Sequence, residues 1–298
     1  MNAPAKSAII LDFDNTLYDW VEQWYAAFRP MFDEIQRISN LPADLLKSEI
    51  RKIHQRHHTS EYSFLIEELE ILRDGSVENT VQKYRSAIAK SRSAREQHLR
   101  LYPNVIETLQ ALKSSGKILV VFTESQAFYT VMRFKKFRLE GVIDFLFTSD
   151  DHDNPDDQYL EKVRAHPPEY YEIRKTRHRS IGRGRLKPDP QILSQIIREV
   201  GATTDTTTYV GDSLYKDVAM AKEAGVFGVW AKYGEARGQP GYDFLREVSH
   251  WTPEDVEKDR LLKEKDVIAD VVLKEGISEL VSAADQLEAG KYDRQAFG

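Results

Sequence analysis

The chain has 298 residues, 41% of them hydrophobic, a formal net charge of −6 and no cysteine. The length admits one large domain or a core with a smaller module; the missing cysteine excludes disulfides, thiolate metal sites and a cysteine nucleophile, and the charge argues against a nucleic-acid coat. No apolar run is long enough to cross a membrane, and the run Ala8–Leu11 stops at Asp12, too soon for a signal peptide, so a cytoplasmic globular protein is expected.

Residues 7–14 read as a buried strand that ends in acids. A short apolar run bounded by polar residues suits a parallel strand covered on both faces. Residues 18–100 then look wholly helical. Trp20, Trp24, Phe28, Met31, Ile35 and Ile38 recur at helical spacing, as do Val77, Val81, Tyr84 and Ile88. Pro42 and the Asp74-Gly75 pair mark turns. The aromatic stripe reads as the core of an inserted helical module, and His57 and His58 as its surface. Further strands are expected at 117–124, 142–150, 206–213, 226–232 and 270–274. Helices fall between most of them: Val105, Leu109 and Leu112 share a face before Gly116, and Ile192, Leu193, Ile196, Ile197 and Val200 share one before Gly201. Strands alternating with helices argue for a parallel α/β sheet.

Two segments interrupt this pattern, and both read as excursions of the core. Residues 150–186 are long for a connection. They open with five aspartates from Asp150 to Asp157 and close on Arg174, Lys175, Arg177, Arg179, Arg183 and Arg185, a basic run that continues to Lys187. Residues 234–268 are the second. The basic run suits either a solvated loop or a collar for an acidic substrate.

In an open α/β sheet, ligands bind outside the carboxyl ends of the strands. Those ends deliver Asp12, Asp14, Thr123, Asp212 and Asp217, with Lys187 ahead of a helix. Asp12 and Asp14 alternate along an extended chain, so their side chains diverge; one can attack while the other handles a proton. A carboxylate can accept a phosphoryl group. Oxygen ligands without histidine or cysteine suit Mg²⁺, with Asp12 and Asp212 as the natural pair. Lys187 can offset negative charge, and Thr123 can donate to a phosphate oxygen.

Four motifs resemble those of the haloacid dehalogenase superfamily: DFDNTL at 12–17, FTES at 122–125, LKPDP at 186–190 and GDSLYKD at 211–217. The likeness extends over residues 7–17, 101–149, 186–233 and 269–285. It implies a Rossmann-like parallel-sheet core, 1–17 and 101–298, with a small all-helical cap domain inserted at 18–100. By the resemblance Asp12 is the nucleophile and Asp14 the general acid and base. Mg²⁺ is held by the Asp12 carboxylate, the Asp14 carbonyl and Asp212, with Asp217 ligating or orienting a metal-bound water. Thr123 and Lys187 hold the phosphate. The family's carbon–halogen enzymes lack an acid at the position of Asp14, so its presence points to phosphate chemistry. Many members carry Asn where this chain has Glu124, which puts a carboxylate beside the expected phosphate.

The expected activity is Mg²⁺-dependent hydrolysis of a phosphate monoester of a small metabolite through an aspartyl-phosphate. A phosphomutase on the same scaffold and a non-catalytic regulatory or binding protein are the alternatives. A nucleic-acid partner is not expected, and the sequence leaves oligomeric state open.

Overall fold

The computed structural model describes residues 6–150, 167–182, 184–236, 238, 240–263 and 266–288. Most of the aspartate-rich opening of the first excursion, and Arg183, lie outside the described residues. Two compact units are present: Met1–Tyr18, Leu101–Glu235 and Lys265–Gly298 form one, and Asp19–Arg100 with Ala236–Glu264 the other.

The first unit is built on a seven-stranded sheet. Its strands are β1 (Lys6–Leu11), β2 (Ile118–Gln126), β3 (Phe145–Ser149), β4 (Arg177–Ser180), β5 (Ala202–Gly211), β6 (Phe227–Ala231) and β7 (Val271–Leu273). They lie in the order β4-β3-β2-β1-β5-β6-β7, and each adjacent pair is parallel. This is a Rossmann-like α/β arrangement. The central strand is apolar because it is buried: Ala8, Ile9, Ile10 and Leu11 are shielded from solvent, with Leu11 in register between Val121 and Val210. Ala8 and Ile10 pack with Val120, Phe122 and Tyr209 against one face of the helix Pro190–Val200, through Ile192, Leu193, Ile196 and Ile197. That helix has clear ends. Asp189 accepts from the N–H groups of Gln191 and Ile192 (2.9 and 3.1 Å), Pro190 opens the first turn, and Gly201 closes it at φ +77°.

The chain adds strands outward from β1 in one direction through β4, then in the other from β5 to β7. Winding therefore reverses beside β1, and such a switch point opens a crevice at the carboxyl ends of the strands. Asp12 follows β1 there and Asp212 follows β5.

The structure corrects two sequence expectations. The first excursion contains β4, an edge strand, so the strand that leads to Asp212 is the fifth. Its sequence, RHRS, is charged and largely exposed, which suits an edge that must not recruit another strand. The second excursion is not an outgrowth of the core. Ala236–Glu264 clusters with the helical unit, as helices Pro240–Val248 and Pro253–Lys263.

Within the helical unit, the long helix Trp20–Ser39 is capped by Asp19, which accepts from the N–H of Glu22. Its apolar stripe, Trp24, Phe28, Phe32 and Ile35, packs with Leu46, Ile50, Ile53, Phe244, Leu245 and Val248. Trp24 stacks on Phe28 with ring centroids 4.7 Å apart, and Phe32 meets Phe244 edge-on at 5.2 Å. No helix among the described residues is long and apolar enough to cross a membrane.

Candidate active site

β1 and β5 each stop just before an acid, Asp12 and Asp212, whereas Thr123 lies within β2, where its apolar run gives way to polar residues. β1 ends at Leu11, and the Asp12 N–H still donates to the Val210 carbonyl at 2.8 Å, which ties this aspartate to β5. Asp12 is buried, and its carboxylate is shared between two donors: the Lys187 ammonium at Oδ1 and the Thr16 hydroxyl at Oδ2, the latter at 3.2 Å. Lys187 also pairs with Asp217 Oδ1 at 2.9 Å. Asp217 further accepts from the Tyr209 hydroxyl (3.0 Å) and the Ser213 N–H (3.1 Å). It stands on a π-helical turn, Leu214–Val218, over Gly211. A Cβ on Gly211 would lie 2.3 Å from Asp217 Cγ, so only glycine allows this approach.

Asp12, Asp212 and Asp217 each bring a carboxylate oxygen within 4.8 Å of the others, a group able to hold a metal ion. Burial above all, with Asp217 and Asp14 adding to it and Lys187 opposing, raises the Asp12 carboxyl to about 7. Asp212 is driven well above its ordinary range by burial, then by Asp217 and Asp12. Burial opposes the charge on Lys187, yet Asp12 and Asp217 hold its ammonium well above the usual value. One ammonium thus faces three clustered carboxylates, and a divalent cation would balance the remainder. The all-oxygen donor set fits a hard cation.

Asp14 turns to different partners. Its carboxylate accepts from Tyr18 at Oδ1, and from Thr123 (3.1 Å) and Ser125 (2.6 Å) at Oδ2. The buried guanidinium of Arg133 lies 3.9 Å from Oδ1. Thr123, expected to face a phosphate, donates to Asp14 and accepts from the Ser125 N–H at 3.0 Å. Glu124 bends away to accept the backbone N–H of Lys187. The six sequence-selected residues therefore gather into two linked clusters, Asp12, Lys187, Asp212 and Asp217 in one and Asp14 with Thr123 in the other. Thr16, Tyr18, Ser125, Arg133 and Tyr209 join them without having been singled out. Ser125 lies inside the FTES motif and was accessible to reading; a lone arginine in a helix carried no signal.

Among the described residues, several arginines of the basic segment make local contacts. Arg177 lies over the Phe145 ring at 5.3 Å, at the start of β3 and so at the end of the strands remote from Asp12. Arg179 pairs with Glu199 at 2.8 Å, and Arg185 with Asp189 at 3.4 Å. Arg183 lies outside the described residues. His57 bonds Glu68 at 2.9 Å and stacks on Tyr62.

Comparison with known proteins adds the context. A glyceraldehyde 3-phosphate phosphatase from Pyrococcus furiosus is 31% identical over 108 residues, 36% of this chain and 40% of that protein. The chain thus matches less than half of that relative's length. The structure of a phosphatase from Thermococcus onnurineus aligns with a TM-score of 0.51 at 19% identity, covering 93% of this chain and 97% of that one. A Thermotoga maritima chain named as a candidate β-phosphoglucomutase aligns with a TM-score of 0.50 at 19% identity, covering 93% and 99%. At such identities the two structures speak for the fold alone. The family model of haloacid dehalogenase-like hydrolases matches residues 6–225, a span that holds every residue of both clusters, and the chain belongs to that family.

Proposed function

We propose that this protein is a Mg²⁺-dependent phosphatase acting on a phosphate monoester of a small metabolite, with Asp12 as nucleophile. The observation that carries the reading is the divergence of the two acids. Asp12 faces Lys187 and the metal-competent carboxylates, whereas Asp14 sits apart among hydroxyl donors. This divergence supports a division of labour, Asp12 for attack and Asp14 for proton transfer.

In this reading the Asp12 carboxylate attacks phosphorus and the bond to the ester oxygen breaks. Asp14 gives its proton to that leaving oxygen. Asp14 then takes a proton from water, whose oxygen attacks the phosphoryl group, releasing phosphate and restoring Asp12. Lys187 holds the Asp12 carboxylate and offsets charge at the phosphoryl group. The carboxylates of Asp12 and Asp212, with the Asp14 carbonyl, would hold Mg²⁺, and Asp217 would ligate it or orient its water. When bound, the ion would neutralise phosphate and carboxylate charge together. A phosphomutase would use the same first step but return the phosphoryl group to a second hydroxyl.

The test is a screen of phosphorylated metabolites with Mg²⁺, in wild type and Asp12→Asn. Release of inorganic phosphate by wild type, its loss in the variant and in excess chelator, and trapping of beryllium fluoride on Asp12 are expected. Turnover that survives Asp12→Asn would exclude the covalent route, and isomerised phosphate esters without free phosphate would favour the mutase.

A further inference from the structure

After β6 the chain makes a single tight turn, Lys232–Gly234, before joining the helical unit at Ala236. This short stretch, taken with Trp230 near the end of β6, belongs to none of the four motifs. It nevertheless makes three contacts with the backbone that carries the acids. Trp230 Nε1 donates to the Asp212 carbonyl oxygen at 2.9 Å. The Tyr233 hydroxyl donates to the Thr16 carbonyl oxygen at 2.7 Å, and its ring meets Tyr102 edge-on at 5.3 Å. Gly234 lies directly against Asn15: a Cβ there would come within 1.7 Å of the Asn15 carbonyl oxygen and 2.9 Å of its carbon, and 3.3 Å from Asp212 Cβ.

These contacts fall on both sides of the metal-competent group. Asn15 and Thr16 continue the loop that carries Asp12 and Asp14, and Thr16 also binds the Asp12 carboxylate through its hydroxyl. Asn15 adopts a left-handed backbone, φ +59°, an uncommon state for a residue with a side chain. The Gly234 contact is to backbone atoms, so no rotamer change can relieve a side chain placed there. Trp230 reaches the other side, at Asp212.

We propose that Trp230, Tyr233 and Gly234 are positioning residues that set the separation of the Asp12–Thr16 loop from Asp212, and through it the affinity of the site for Mg²⁺. The inference rests on the metal-dependent reading above. None of the three would touch the ion or the substrate; they act through the backbone of residues that do. Hydrogen-bond partners one layer out from a metal commonly change its affinity about 10–100-fold.

The experiment measures Mg²⁺ binding directly, by calorimetry and by the metal-dependent rise in melting temperature, in the full chain and in Tyr233→Phe, Trp230→Phe and Gly234→Ala. Tyr233→Phe and Trp230→Phe should each weaken Mg²⁺ binding about tenfold. Their turnover should fall at limiting Mg²⁺ and recover at saturating Mg²⁺, a rescue that general loosening of the fold would not give. Gly234→Ala should weaken binding further. If it fails to fold, the two conservative variants still decide the matter. Wild-type Mg²⁺ affinity in both would overturn the proposal. If wild type binds Mg²⁺ and the variants weaken it, yet no phosphate ester is hydrolysed, the phosphatase reading fails and this one stands. A wild type that binds no Mg²⁺ overturns both.

Discussion

The carboxylate of Glu124 accepts the backbone N–H of Lys187, the residue whose ammonium joins Asp12 to Asp217. A carboxylate that would repel a phosphate is thereby turned onto the chain that presents the site's cation. Removing it leaves a backbone donor without its acceptor and frees the turn ahead of the helix Pro190–Val200. Glu124→Ala should lower kcat/KM about tenfold, the scale of a lost hydrogen bond to a charged group. Glu124→Gln keeps an acceptor oxygen and should stay near wild type. Equal losses in the two variants would show that charge, not the hydrogen bond, matters at this position.

Asp14→Asn should discriminate between leaving groups. A general acid is worth about 10²–10⁴-fold, but an ester that leaves easily needs little protonation. Single-turnover phosphorylation by an alkyl phosphate should therefore suffer far more than phosphorylation by p-nitrophenyl phosphate. Ser125→Ala removes the 2.6 Å bond to Asp14 and should give a smaller defect with the same bias. A uniform loss across leaving groups would remove Asp14 from the proton-transfer step.

Stability should fall in mild acid because of His54. Its Nδ1 bonds the Val248 carbonyl at 2.6 Å, and its Nε2 is buried with no hydrogen-bond partner among the described residues. Burial holds the imidazole down at about 4, against an ordinary 6.5. Above about pH 6.5 the ring is neutral in both states and its contribution is intact. As pH falls toward 4, the unfolded chain takes up a proton that the folded one refuses, which costs up to about 3 kcal/mol. Denaturant titrations between pH 7 and 4 should show this slope in wild type and a shallower one in His54→Gln. An identical slope in the variant would assign the acid sensitivity elsewhere.

Phe244 packs among Trp24, Tyr25, Phe28 and Phe32, with ring centroids 5.2–6.2 Å away. Phe244→Ala should destabilise the helical unit by about 3–5 kcal/mol, the usual range for a buried phenylalanine. Chemical denaturation followed by tryptophan fluorescence reads this directly, since Trp24 reports from the same core. A loss below about 1 kcal/mol would mean that the core of this unit does not depend on the second segment.

Asp12 and Asp212 were legible in the sequence because their signal is local, each lying at the end of a strand's apolar run where the ends of a parallel sheet converge; Asp14, Lys187 and Asp217 were legible through the spacing of their motifs. What escaped was set by distant neighbours. Arg177–Ser180 forms a strand without apolar alternation, because an edge strand buries little. Phe244, Leu245 and Val248 have helical periodicity, but periodicity does not say which unit they pack in. The close approach of Gly234 to Asn15 depends on a backbone more than two hundred residues earlier, and a glycine at the end of a strand is otherwise unremarked. Element ends also drifted: the run at 142–150 supplies a strand only at Phe145–Ser149, since the preceding residues turn.

The helical unit draws on two stretches of chain, and this has a bearing on biosynthesis. His54 and Val248, which bond each other, are 194 positions apart. At roughly 5–20 residues per second, the partner of the first helices leaves the ribosome about 10–40 s after them. Through that interval the apolar stripe of Trp24, Phe28 and Phe32 lacks Phe244, while the strands of the sheet emerge and pair. Completion of the helical unit therefore trails that of most of the sheet, although its first helices are made early, and the nascent chain carries an uncovered aromatic surface for the time a chaperone needs to find it.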